Sequence, residues 1–158
     1  MSDQPSTASA AGRPGLVQAD LAGSFVYKFE GNAVRNNVAH RICGIGTFTL
    51  DAAGQLAGSH TSSGTPLQGS VKDGVLVCTF TLKGSLLLDA GAHLGNADID
   101  FVSDNPRMDS VNGKFRFAVA GSPDRLWLMS TGATTIGGAA TVTLDELVIL
   151  EAVRIPGG

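Results

Sequence analysis

Apolar residues along this chain recur at alternate positions, in short runs separated by glycine, proline and asparagine. A period of two places successive side chains on opposite faces of an extended strand. Strands are predicted over 22–30, 38–50, 54–63, 66–72, 75–82, 85–89, 96–103, 111–120, 125–131 and 139–153. Turn signals stand between them, among them Gly31-Asn32, Ala53-Gly54, Ser63-Gly64, Asp73-Gly74, Asn105-Pro106, Gly121-Ser122-Pro123 and Gly137-Gly138. Asp73-Gly74 is the strongest hairpin signal, because type I′ turns need residues that accept positive φ. Short strands at this spacing predict an all-β fold, a small antiparallel up-and-down β-barrel of about eight strands.

One stretch admits two readings. Thr143-Leu-Asp-Glu146 has the form of a helix capping box, and Leu144, Leu147, Val148 and Glu151 fit a helical face. The density of β-branched residues from Thr141 to Ile155 favours a strand. Residues 1–18 show no periodicity and read as a disordered leader, with a single barrel domain expected over 19–155.

Parity sorts the faces. Phe25, Tyr27 and Phe29 share one side, as do Ile42, Phe48 and Leu50, then Leu76, Phe80 and Leu82, Ile99 and Phe101, and Phe115, Phe117 and Val119. These are expected to point inward. The other face of 96–103 and 111–120 carries Asp98, Asp100, Lys114 and Arg116. A hairpin centred near Arg107 would set Asp98 against Arg116 and Asp100 against Lys114. Elsewhere both faces are apolar: Val75 and Val77, Cys43 and Ile45, and Leu147 to Leu150 all add hydrophobic residues on the outer side. A strand apolar on both sides is expected to be covered on both, so a homo-oligomer is anticipated.

Composition narrows the function classes. The 158 residues include 21 glycines, only 16% are charged, and the formal net charge is −3. Eleven scattered Lys and Arg form no basic stripe, which argues against a nucleic-acid partner. No run of eighteen apolar residues predicts a membrane-spanning helix, so no membrane partner is expected. The first ten residues lack the basic and apolar segments of a signal peptide, and a cytoplasmic location is expected. Cys43 and Cys78 lack metal-ligand spacing and fall on opposite faces, so they are read as reduced thiols.

No hydrolase, zinc or nucleotide motif occurs, and neither a cofactor nor a metal is expected. Gly44-Ile-Gly46 resembles half of a dinucleotide fingerprint, but without a βαβ unit it reads as a bend in a long strand. His40 has the parity of Ile42 and Phe48, which places it inward near a strand end, as a rim residue or a proton-handling group. Tyr27 is inward, and its hydroxyl needs a partner, either a buried carbonyl or a ligand. His60 falls in the polar run 58–64, which reads as a solvent-facing strand or a loop, while His93 reads as a turn residue. In 125–131 either Trp127 and Met129 or Leu126 and Leu128 form the inward pair.

The runs Leu21-Ala-Gly-Ser-Phe-Val-Tyr-Lys-Phe29 and Gly44-Ile-Gly-Thr-Phe-Thr-Leu-Asp-Ala-Ala-Gly-Gln-Leu-Ala-Gly58 are similar to openings of small bacterial lipocalin-like barrels. The second run also resembles allene-oxide-cyclase-like and dirigent-like barrels, and Gly113-Lys-Phe-Arg-Phe117 and Leu126-Trp-Leu-Met129 fit closing strands of either group. The lipocalin-like resemblance implies an apolar cavity for a small ligand. The cyclase-like one implies a cavity that folds an apolar substrate for ring closure, although no catalytic set carries over by motif.

The expected function is therefore binding of a small, largely apolar molecule inside the barrel. The lining residues expected from parity are Tyr27, His40, Phe48, Phe80, Phe101, Phe117, Trp127 and Met129. A cyclase or isomerase using His40 or Tyr27 is one alternative, and a non-catalytic assembly module with a filled core is another.

Overall fold

A computed structural model describes residues 15–35, 38–66, 76–106, 108–137 and 142–157. Among the described residues nine strands follow a short 3-10 helix (Gln18–Leu21): β1 (Gly23–Arg35), β2 (Val38–Leu50), β3 (Gln55–Pro66), β4 (Leu76–Leu88), β5 (Leu94–Ser103), β6 (Ser110–Val119), β7 (Arg125–Ile136), β8 (Thr143–Leu144) and β9 (Glu146–Arg154). Neighbouring strands pair antiparallel from β1 through β7, and β9 pairs with both β7 and β1. The ring β1-β2-β3-β4-β5-β6-β7-β9 therefore closes, an eight-stranded antiparallel barrel with the two residues of β8 appended to β7. Closure leaves no long sheet edge, which removes a template for aggregation.

The strands run longer than the turn signals suggested. Gly31-Asn32 and Ser63-Gly64 lie within β1 and β3, and the predicted strands 75–82 and 85–89 form the single strand β4. Glycine in these strands accommodates close neighbours instead of ending the element. The Asp73-Gly74 hairpin signal, Val75 and most of the predicted strand 66–72 lie outside the described residues. Segment 143–154 is strand, interrupted only at Asp145. The β6–β7 register shifts by one residue after Lys114, leaving Thr131 without a partner on β6, and the neighbouring Ser130 side chain ties β7 to β9. Its hydroxyl accepts from the Val148 amide (2.8 Å) and donates to the Glu146 carbonyl (3.3 Å).

The predicted outer-face charges are where parity put them, in a different register. Asp98 faces Lys114, Asn96 faces Arg116 and Asp100 faces Asn112. The hairpin is centred one residue earlier than expected. Its turn is set by Asn105-Pro106, where the Met108 amide donates to the Asn105 carbonyl (2.9 Å), and Pro106 pre-sets the backbone for that turn. Lys114 pairs with Asp98, and Arg116 reaches Asp89 at 2.9 Å. These pairs are solvent-exposed, so each contributes at most about 1 kcal/mol and serves mainly to fix register.

One barrel end is sealed by the 3-10 helix. Leu21 is fully buried there, and Leu16 packs on the core. The Gln18 side chain donates to the Leu86 carbonyl (2.9 Å) and accepts from the Leu88 amide (2.7 Å), so the leader expected through residue 18 is docked from Leu16 onward. Arg154 locks this cap by donating to the Ala22, Asp20 and Pro123 carbonyls while its guanidinium lies over the Phe25 ring at 5.3 Å. No described helix is long and apolar enough to cross a membrane.

Candidate functional site

Inward side chains are packed hardest at the helix end and loosen toward the far end. Along β1, exposure rises from 0% at Phe25 through 3% at Tyr27 to 8% at Phe29, and along β4 from 0% at Leu86 through 2% at Leu82 to 7% at Phe80. Beyond these aromatics small inward positions stand among larger ones, Ile42, Val111, Val148 and Glu146. Gly31, Ala33, Gly44, Ser62, Gly64, Cys78 and Ala133 occupy the far half, with Ile42, Gly44, Ser62 and Gly64 partly accessible. Inward side chains are thus smaller on average toward the far end.

A buried polar pair sits at the boundary. Tyr27, Gly46 and His60 are directly opposite one another across β1, β2 and β3. Gly46 has no side chain to separate the two rings: a Cβ there would lie 2.6 Å from Tyr27 Oη and 2.4 Å from the Ser59 carbonyl oxygen. Tyr27 Oη and His60 Nδ1 therefore meet at 2.8 Å, with the ring planes within 1° of parallel. Phe29 and Phe101 meet the His60 ring edge-on at 4.9 and 5.4 Å, and Phe80 lies at 5.8 Å. Phe48 closes the lower side against Tyr27 at 5.9 Å.

Electrostatics follow from this enclosure. His60 is 2% exposed, and burial pushes its imidazole down to about 4, so the ring is neutral at pH 7. Burial also pushes the Tyr27 hydroxyl well above its usual value, which keeps the phenol protonated. The phenol is the stronger acid of the two and imidazole nitrogen the better acceptor, so Tyr27 donates to Nδ1 and the ring proton resides on Nε2. Nε2 faces the far end, since a Cβ built on Gly44 would lie 2.9 Å from it. Among the described residues no hydrogen bond reaches Nε2.

The structure brings together four of the eight lining residues expected from sequence: Tyr27, Phe48, Phe80 and Phe101 surround or adjoin His60. Phe117 is inward but lies at the sealed half, opposite Gly95. His40 is half-buried at the far end, opposite Ala33. The inward placement of Trp127 and Met129 is corrected. Both are about half exposed on the outer wall, and Leu126 and Leu128 are the buried pair. Alternation could not choose between them because both parities of 126–129 are apolar.

His60, expected on a solvent-facing strand or loop, is instead buried, since Gly58, Ser62 and Gly64 give its strand face no apolar signal. Two observations locate it. It shares parity with Leu56, and the Asp51–Gly54 turn sets Leu56 against Leu50 and so His60 against Gly46. That turn is pinned by the Asp51 carboxylate, which accepts from the Ala53 and Gln55 amides.

An open groove of about 480 Å³ also runs over the outside of β1–β4, with Lys28, Glu30, Cys43, Ile45 and Val77 on its walls. It is broadly exposed and would touch a ligand on one side only. Among the described residues no three His, Cys, Asp or Glu side chains are placed to share a metal ion. No protein-family model, curated protein or solved structure matches this chain. What the structure shares with the lipocalin-like barrels is the architecture, a closed eight-stranded antiparallel barrel.

Proposed function

We propose that the barrel binds a small, largely apolar molecule in its far half, seated on Phe29, Phe80 and Phe101 above His60. The observation that carries this reading is the graded interior: large packed side chains below, and above them small inward residues among larger ones, with Ile42, Gly44, Ser62 and Gly64 partly accessible. Barrels of about eight strands either fill with side chains or hold one small ligand, and this one divides the two roles along its axis. Binding is favoured over acid–base catalysis by the charge state of the pair. A histidine held near 4 and a tyrosine held above its normal range exchange protons poorly at pH 7. Native mass spectrometry of the protein as isolated, followed by denaturing extraction, tests this. A neutral small molecule that leaves on extraction supports the reading, and a bare chain that takes up no apolar probe contradicts it.

A specific observation supports a second role. Val26, Trp127, Met129, Leu147, Ile149 and Val153 are exposed together on the outer faces of β1, β7 and β9. Glu151 inside this patch is already paired with Arg125 and Lys28, so its charges need no partner from outside. A second copy of the chain is the proposed cover, because contiguous exposed apolar patches of this kind mark contact surfaces. Sedimentation that shows only monomer at tens of micromolar would contradict it.

A further inference from the structure

We infer that the molecule held in the barrel is neutral and carries a hydrogen-bond acceptor, a carbonyl or ether oxygen, which His60 Nε2–H receives. This rests on the far-half binding proposed above and adds the ligand's polar chemistry. The His60 ring is buried, yet only one of its nitrogens is used within the described residues, by the Tyr27 hydroxyl at 2.8 Å. The fully buried side-chain atom left without a hydrogen bond among the described residues is Arg154 Nε, so His60 Nε2 is an unpaired donor still open to solvent or a ligand. Nε2 is aimed at Gly44, the inward position one step nearer the far end, where the missing side chain leaves the nitrogen uncovered.

The tautomer makes the site selective. With Nδ1 accepting from Tyr27, Nε2 can only donate, so it suits an oxygen acceptor and offers nothing to a donor. Anions are disfavoured by the surroundings. The described inward side chains of the far half are aromatic, aliphatic, hydroxyl and thiol groups and the Glu146 carboxylate opposite Ala33, with His40 half-buried at the rim and no Lys or Arg among them. A carboxylate placed there would lose its hydration without gaining a countercharge.

Three probes of similar size separate the cases: ethylbenzene, with no acceptor; acetophenone, with one carbonyl; and benzoate, an anion. Calorimetric titration of the full chain should show acetophenone binding about three- to tenfold tighter than ethylbenzene, as one net hydrogen bond predicts, with benzoate weakest. His60→Leu should equalise acetophenone and ethylbenzene. Equal affinities in the unmodified protein would overturn the carbonyl assignment and leave apolar binding standing. No binding of any probe would overturn both. A ¹⁵N–¹H imidazole spectrum supplies a readout without substitution. The Nε2 proton should be present in the free protein and shift with acetophenone but not with ethylbenzene. A proton found on Nδ1 would overturn the assignment.

Discussion

Removing either partner of the Tyr27–His60 bond strands the other in a dry interior. Both side chains are at most 3% exposed and their polar atoms are 2.8 Å apart. Tyr27→Phe leaves Nδ1 unpaired, and His60→Leu leaves the phenol unpaired. Each orphaned group should cost about 1–3 kcal/mol. The double substitution leaves neither orphan, so its cost should fall below the sum of the singles by about 1–2 kcal/mol. Equilibrium urea unfolding followed by circular dichroism measures this at one protein concentration. With a slope near 2 kcal/mol/M, a loss of about 2 kcal/mol lowers the midpoint by about 1 M. The double variant should unfold no earlier than the weaker single. Costs that add to within about 0.3 kcal/mol would refute the coupling, and an unshifted midpoint for Tyr27→Phe would refute burial of an obligatory pair.

Three further outcomes are expected. Because His60 is held near 4 in the fold against 6.5 when exposed, its contribution is intact above pH 6.5 and lost as pH falls toward 4, about 3 kcal/mol in all. His60→Leu should flatten the stability profile across that window, and an unchanged slope would contradict the burial argument. Gly46→Ala forces a methyl group against Tyr27 Oη and the Ser59 carbonyl and should cost about 2–4 kcal/mol. Gly132→Ala, with nothing within 4 Å of the new Cβ, is the control, and equal midpoints for the two would count against the account. Arg154→Ala removes three carbonyl contacts and the stacking on Phe25, so about 2–3 kcal/mol should be lost. Amide exchange should then accelerate at residues 18–22 before the strands, and unchanged exchange there would argue against its capping role.

The fold was legible because strand alternation survives in most of the chain. Phe25, Tyr27 and Phe29 on β1, and Phe115, Phe117 and Val119 on β6, announce their face by hydrophobicity alone, and all are buried. Where both parities are apolar, as in 125–131, the pattern carries no face information, and the wrong pair was favoured as lining. The site was harder to see for the opposite reason. β3 is polar or small on both faces through 58–64, so His60 could be placed only by carrying the register across the Asp51–Gly54 turn to Gly46. The histidine that parity favoured, His40, stands at the barrel rim. The aromatic half of the site was thus readable residue by residue, and its polar centre required pairing between strands.

The central claim is that a ligand sits inside the far half of the barrel, above His60. Isotope-filtered NOE spectroscopy of labelled protein with unlabelled acetophenone tests it most directly. The account predicts contacts to Phe29, Phe101 and Cys78 and none to Phe25 or Leu21. Contacts confined to Ile45 and Val77 in the outer groove, or to Trp127 on the outer wall, would contradict it.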